Sequence, residues 1–385
     1  MATAMPSPIT NTAYKPHPTE KMKAAQWMGT RTIQVGTVPK PSITDPSDAI
    51  VHVTHTTICG SDLHMYEGEL NDAMQKGDIM GHEAIGFVEE VGSNVKRLQK
   101  GDRVIILPII ACGECQYCKR QEYSLCDTTD PSKEMEKMYG HRLSGILGYT
   151  HLRAEYARVP IADLTCVKAP KDVDAKKLLG LADVTTTAWH GNELAEVGKG
   201  DIVGVWGCGP VGLSIQRLAL LRGAKKVYAV DKDPVRLKLA EDFGMTPVDV
   251  SAHPEVADYI LSLQPHGLDR SIEASGFRST QKPQHAAMRA IGLERDNFFF
   301  NTNDFPIGPM MEKGLTVRGG QLSAQKYHPF LLDLVVQGKY DPSWMFTYED
   351  DFENIADDYR KFSRHEIPGG LKVCLVTAYG RSLYK

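Results

Sequence analysis

At 385 residues the chain is longer than one compact core usually fills, and its 42% hydrophobic content can furnish two. A formal net charge of −4, with Lys and Arg scattered rather than gathered, gives no bulk attraction for nucleic acid or an anionic membrane, so neither is an expected partner. No stretch approaches the roughly 20 apolar residues that span a bilayer, and the N-terminus lacks the regions of a secretory signal, so a cytoplasmic protein is expected.

Residues 1–22 are rich in Pro, Thr and Ser and contain no Arg, which predicts a mobile tail rather than a transit peptide. Residues 23–184 form a predicted β-rich domain: AIVHVTHTTIC, AIGFVEEVG, DRVIILPII and AEYARVP alternate or run apolar over strand lengths between turn residues. Two groups of chemistry-bearing side chains interrupt these strands. The first is Cys59, Ser61 and His64 in TTICGSDLHMYEG, followed by His82 and Glu83 in MGHEAIG. Cys and His are the ligands of an open zinc site in which water or substrate takes the fourth position. Each residue alone has a plainer reading, since a single Cys is usually a small buried apolar group.

The second group, within 108–130, is Cys112, Cys115, Cys118 and Cys126, spaced C-x2-C-x2-C-x7-C around Gly113. Of the eight cysteines in the chain, four crowded this closely point to metal rather than to a secreted disulfide framework. Four thiolates suit a closed tetrahedral zinc that contributes to folding. Spacing alone leaves an iron–sulfur cluster open. A nucleic-acid finger is disfavoured because no basic helix follows.

From about Leu181 the pattern changes to strand, glycine turn and helix, which predicts a Rossmann-type α/β domain with a doubly wound parallel sheet over 185–322. In VGVWGCGPVG the glycines Gly207, Gly209 and Gly212, with Pro210 and Val211 between them, match G-x-G-x-x-G after a predicted strand and before a predicted helix. The first glycine permits the tight turn, the second lets a pyrophosphate approach the backbone, and the third lets helix and strand pack closely. The helix N-terminus then offers unpaired N–H groups to the phosphates. Asp231 ends the next strand, KKVYAVD, at the offset where a carboxylate meets the adenosine ribose. Its charge repels a 2′-phosphate and favours NAD over NADP, with Lys232 and Arg236 close enough to soften that choice. Residues 323–385, with an amphipathic PFLLDLVVQGK and a closing strand GLKVCLVTA, are predicted to return to the first domain.

ICGSDLH, GHE, GDRV followed by the four-cysteine lobe, and VWGCGPVG stand in the order of the zinc-containing medium-chain alcohol dehydrogenase family, which the chain resembles from about Met22 onward. GYTHL, RAEYARVP, LADVTTTAWHG, SIEASGF and MMEKGLTVRGGQ resemble its glutathione-independent formaldehyde dehydrogenase branch. The resemblance implies a GroES-like β-rich catalytic domain beside the Rossmann domain, two zinc ions per chain, NAD, and a homodimer or homotetramer. It implies that Cys59, His82 and Asp183 bind the catalytic zinc, with Glu83 behind the metal. Ser61 would receive the hydroxyl proton and His64 pass it outward. Thr187 would lie near the nicotinamide, Arg236 near the adenosine ribose, and Lys372 on the pyrophosphate. The implied reaction moves a hydride from an alcohol, or from the gem-diol hydrate of a formaldehyde-type aldehyde, to NAD.

Two departures from the family pattern stand out. A Gly-rich segment usual between GY-x-H-L and A-E-Y is missing, so that GYTHL runs through Arg153 directly into AEYARVP. Near 293–300 the helix and Gly-Gly-led strand expected before NTNDFPIG are also missing. Either DNFFFN replaces that strand, or the protein is a catalytically impaired zinc- and nucleotide-binding scaffold.

Overall fold

The structure, a computed structural model, describes residues 15–69, 71, 74–129, 152–275, 311 and 314–383. The chain divides into two compact units, one of Met1–Thr186 with Ser323–Lys385 and one of Thr187–Leu322. The shortened stretch near 293–300, with DNFFFN, lies outside the described residues.

In the first unit, β1 (Pro16–Gly29) and β2 (Thr32–Pro41) form an antiparallel ribbon. The strand begins at Pro16 and its Met22 is buried, which corrects the end of the expected tail: Pro16, Lys21 and Met22 pair with β2 across an irregularity between Pro16 and Lys21. Then come β3 (Ala49–Thr56), α1 (Gly60–Glu67), β4 (Ala84–Val91), β5 (Arg103–Ile106), α2 (Gln116–Lys119), β6 (Tyr156–Val159), α3 (Ala162–Thr165), β7 (Cys166–Lys168) and α4 (Ala175–Gly180), after which α5 (Val184–Leu194) begins in this unit and continues into the second.

The second unit holds β8 (Ile202–Trp206), α6 (Pro210–Leu221), β9 (Lys226–Asp231), α7 (Pro234–Asp242), β10 (Thr246–Asp249), α8 (Val256–Leu263) and β11 (Arg270–Glu273). The chain then rejoins the first unit through α9 (Ala324–Val336), β12 (Phe346–Asp351), α10 (Ile355–Ser363), β13 (Lys372–Val376) and α11 (Ala378–Ser382).

The main sheet of the first unit runs β12-β13-β3-β4-β5-β7, with β6 also paired to β3. Its inner face buries Val51, Val53, Val88, Val104 and Ile106 in one cluster. Antiparallel pairing sets Thr56 of β3 opposite Ala84 of β4. The residues just past β3 and just before β4 therefore emerge at the same end of the sheet. The late strand β13 pairs with β3 through Leu375↔Thr56 and Val376↔His55, so the C-terminal segment closes over that end.

The second unit is a parallel sheet in the order β10-β9-β8-β11 among the described residues. Its buried Val203, Val205, Val227 and Val230 are β-branched, as strands covered on both faces require. The strand order reverses beside β8, and the crevice outside the carboxyl ends of the strands at such a point is where ligands of doubly wound folds bind.

Candidate active site

The antiparallel register of β3 and β4 assembles the first centre. Cys59 caps the N-terminus of α1 just past β3, and His82 and Glu83 lead directly into β4. Asp183 immediately precedes α5. One ligand atom from each of Cys59, His82, Glu83 and Asp183 lies within 4.8 Å of the others. His82 Nε2 is 3.5 Å from Asp183 Oδ2 and 3.9 Å from Glu83 Oε1. A soft thiolate, an imidazole and hard carboxylates at this separation form the donor set of an open zinc site.

Two observations show that this pocket suits a cation. Burial disfavours a charged His82 ring, yet Asp62, Asp183 and Cys59 outweigh it and hold the ring's pKa well above the ordinary imidazole value. The pocket thus draws positive charge onto itself. The second is Glu83 Oε2, fully buried and without a hydrogen-bond partner. An orphaned carboxylate oxygen is costly unless a cation or donor meets it.

Lys372 Nζ donates to Glu83 Oε1 at 2.8 Å and to the Ile58 carbonyl at 3.3 Å. Lys372 opens an inner strand, is only 2% exposed, and its ammonium pairs with the buried carboxylate beside the candidate metal ligands. Burial raises the Glu83 pKa, Asp183 raises it further, and Lys372 offsets part of the rise.

Ser61 and His64 are three residues apart in α1 and so share a helix face. His64 Nδ1 lies 2.6 Å from Glu69 Oε2, a partner that sequence reasoning missed. Sequence reasoning also missed Asp62. Its Oδ2 accepts the Cys59 N–H at 2.7 Å, and its Oδ1 is 3.7 Å from His82 Nδ1. The only signal for Asp62 was an acidic residue three places after an N-cap.

The second centre is local. Cys112, Cys115, Cys118 and Cys126 also bring their sulfurs within 4.8 Å of one another. The Cys112–Cys118 and Cys115–Cys126 pairs are each 3.9 Å apart. A tetrahedron with Zn–S bonds of about 2.3 Å has edges of about 3.8 Å, whereas a disulfide bond is about 2.05 Å. Backbone N–H groups of Glu114 and Cys115 donate to Cys112 Sγ at 3.4 and 3.3 Å, and that of Cys112 to Cys126 Sγ at 3.3 Å. Burial raises the Cys115 thiol, but N–H groups led by that of Cys118 outweigh it and bring its pKa down to about 6. The lobe packs on Ala111, Tyr123 and Leu164.

In the second unit, Gly207 turns at a positive φ of 103°, where a side chain would meet the Ala274 backbone at 2.8 Å. A Cβ at Gly212 would lie 2.0 Å from the Gly207 carbonyl oxygen, so that position admits only glycine. Gly209 faces open space and N-caps α6, with Pro210 and Val211 opening the helix. The N-terminus of α6, where N–H groups lack intrahelical partners and can meet a phosphate, is therefore open at Gly209. Asp231 accepts from the Cys208 N–H at 2.6 Å, the Lys232 N–H at 2.7 Å and the Asp233 N–H at 3.0 Å, which aims the carboxylate across the glycine turn. Arg236 is held 3.6 Å from Asp233 in α7, and Thr187 falls in α5.

Comparisons with known proteins agree with this geometry. The model of the alcohol dehydrogenase GroES-like domain matches residues 45–171, and that of the zinc-binding dehydrogenase family matches 210–337. The chain is 41% identical over 383 residues to a zinc-type alcohol dehydrogenase-like protein of Schizosaccharomyces pombe, covering 91% of this chain and 90% of that one. It is 34% identical over 265 residues to a glutathione-independent formaldehyde dehydrogenase of Pseudomonas aeruginosa, covering 66% of this chain and 65% of that one. Its structure superposes on an alcohol dehydrogenase from Thermus sp. ATN1 with a TM-score of 0.81 at 31% identity, covering 92% of this chain and 100% of that one. A zinc-binding dehydrogenase from Sinorhizobium meliloti bound to NADP gives 0.75 at 25% identity, covering 93% and 99%. With kinship carried along nine-tenths of its length, the chain belongs to the zinc-dependent medium-chain alcohol dehydrogenase family, oxidoreductases that work with zinc and a nicotinamide cofactor.

Proposed function

We propose that the protein is an NAD-dependent dehydrogenase that oxidises a small primary alcohol or the hydrate of a small aldehyde, formaldehyde above all. The observation that carries this reading is the convergence of Cys59, His82, Glu83 and Asp183 around the buried, unpartnered Glu83 Oε2. Cys59, His82 and Asp183 would hold the catalytic zinc, and the four cysteines a structural one. Zinc, when bound, supplies the Lewis acidity that makes a hydroxyl group acidic near neutral pH, and the nicotinamide supplies the hydride acceptor.

The chain's own groups manage the proton. Ser61 Oγ takes it from the substrate hydroxyl, and His64, on the same helix face, carries it outward. Glu69 on Nδ1 fixes the ring so that Nε2 is left as the acceptor. A gem-diol presents the same hydroxyl as an alcohol, so an aldehyde hydrate meets the site without a thiol adduct.

NAD is preferred because the Asp231 carboxylate, fixed by three N–H donors, repels a 2′-phosphate while Arg236 is turned toward Asp233. The formaldehyde assignment draws on the motifs that resemble that branch and on the 34% identity to the Pseudomonas relative. The test is NADH formation when formaldehyde or short primary alcohols are added to the zinc-loaded protein, with NAD and NADP in parallel. Turnover with NAD and formaldehyde is expected. No turnover with any of these substrates overturns the reading, and a tenfold preference for NADP overturns the cofactor assignment.

A further inference from the structure

We propose that Arg153 is a positioning residue for the catalytic metal: a single arginine ties the segment that carries Cys59 to the segment that carries His82. The proposal rests on the reading of Cys59, His82 and Asp183 as the zinc ligands. Arg153 is also where the sequence passes from GYTHL straight into AEYARVP.

Arg153 is completely buried, and its guanidinium is fully engaged. Nε and one terminal nitrogen donate to the Thr57 carbonyl at 3.1 and 2.6 Å. That terminal nitrogen also donates to Asp62 Oδ2, and the other donates to the Tyr359 hydroxyl. Thr57 lies two residues before Cys59. Asp62, through the same Oδ2, accepts the Cys59 N–H. The planar fork thus fixes the ligand-bearing turn at a carbonyl and at the carboxylate that caps it.

The backbone of the same residue reaches the other ligand. Arg153 N–H donates to the Met80 carbonyl at 3.0 Å, two residues before His82. Gly81, at a φ of 101°, makes room for the arginine stem, since a Cβ there would lie 2.6 Å from Arg153 Cγ. Asp62, gripped by the guanidinium, presents Oδ1 to His82 Nδ1 at 3.7 Å. That separation is beyond hydrogen-bond distance and Oδ1 has no hydrogen-bond partner, so the carboxylate acts on the ring through its charge, favouring the tautomer with the proton on Nδ1. Tyr359, whose ring lies 5.2 Å from the guanidinium carbon, closes the far side from α10.

Lysine would keep the charge but lacks the fork that engages Thr57, Asp62 and Tyr359 together. A neutral side chain of similar length would leave Asp62 buried without its cation, free to turn away from His82.

The test uses the full-length, zinc-loaded protein and compares wild type with Arg153→Met, Arg153→Lys, Tyr359→Phe and Cys59→Ala. A chromogenic chelator follows zinc release in time. Removal of such outer partners typically weakens metal binding by about 10–100-fold. Arg153→Met should therefore release one zinc about 10–100-fold faster, Arg153→Lys should lie between it and wild type, and the four-cysteine zinc should leave at the wild-type rate. Cobalt in the Cys59 site of Arg153→Met should show an altered visible spectrum.

Wild-type release and spectrum in folded Arg153 variants overturn the proposal. Equal acceleration of both zincs also overturns it, because that outcome reports general destabilisation. If Arg153→Met is insoluble, Arg153→Lys and Tyr359→Phe decide by the same criteria. Cys59→Ala that retains both zincs refutes the site reading itself, a result distinct from any Arg153 outcome.

Discussion

The two groups of side chains that could hold a metal differ in how the chain builds them. The four-cysteine lobe spans Cys112 to Cys126, takes all its donors from one short segment, and has backbone N–H groups aimed at its sulfurs. The open centre takes donors from before α1, before β4 and before α5, and these meet because Thr56 pairs with Ala84 in the sheet. On the proposed function, a closed site made of its own sequence neighbours would serve folding, and a site assembled by tertiary structure, with mixed ligands and charged groups behind them, would serve chemistry.

Exchanging damage between the centres tests this contrast most severely. Cys59→Ala should cut turnover by at least about a thousandfold while the unfolding midpoint moves little, because the surrounding sheet does not depend on the ligand. Cys118→Ala should lose one zinc and several kcal/mol of stability, lowering the midpoint by on the order of 10 °C. Zinc content, thermal unfolding and NADH formation on each variant check both. If Cys59→Ala unfolds, or Cys118→Ala keeps its midpoint, the division of roles is wrong.

The same contrast governs what was legible in the sequence. That the four cysteines cluster could be read from spacing, which left zinc and an iron–sulfur cluster both open, and the glycine turn with Asp231 could be read from its motif, since the geometry of each is local. The fold class followed from hydrophobic pattern. Cys59 and His82 were conspicuous, but Asp183 was found through family resemblance, because its place beside His82 exists only once α5 is packed. Glu69, Asp62 and Tyr359 left no usable signal, being ordinary polar residues whose partners are set by the fold. The ion pair of Lys372 was hidden for the same reason: nothing in GLKVCLVTA says that β13 lies beside β3 and carries the ammonium to Glu83.

That pair offers the next test of an assembled site. Removing one partner of a buried ion pair typically costs about 3–5 kcal/mol. Lys372→Met should approach that loss in chemical unfolding, and Lys372→Met with Glu83→Gln should recover much of it, since no unpaired charge remains. A double variant as unstable as the single one would assign the loss to packing.

Acid sensitivity separates the fold from both metal centres, because its largest contributors outside them are buried histidines. Burial lowers the His328 pKa to about 4, and burial followed by the Arg103 charge lowers that of His55 to about 4. Both rings are neutral in the native protein over a range in which the unfolded chain, with ordinary imidazoles near 6.5, binds protons. Stability should therefore fall as pH drops from about 6.5 to 4, by up to about 3 kcal/mol per ring, with no contribution above that window. His328→Leu should flatten the slope of unfolding free energy against pH without altering zinc content at neutral pH. An unchanged slope would show that His328 does not contribute to the acid sensitivity.

The smallest effect is expected in the second unit, where the comparison of metal centres predicts no change in either. Asp231→Asn keeps an oxygen acceptor for the Cys208 N–H but removes the negative charge set across the glycine turn. A hydrogen bond to a charged group contributes about 1.5–3 kcal/mol, and Asn retains part of it, so kcat/KM with NAD should fall about tenfold. Activity with NADP should rise as the repulsion of the 2′-phosphate is lifted. Zinc content and the rate of zinc release should match wild type, since nucleotide choice and metal retention depend on separate residues. If Asp231→Asn released zinc faster, the open centre would depend on more of the chain than the residues around Cys59 and His82.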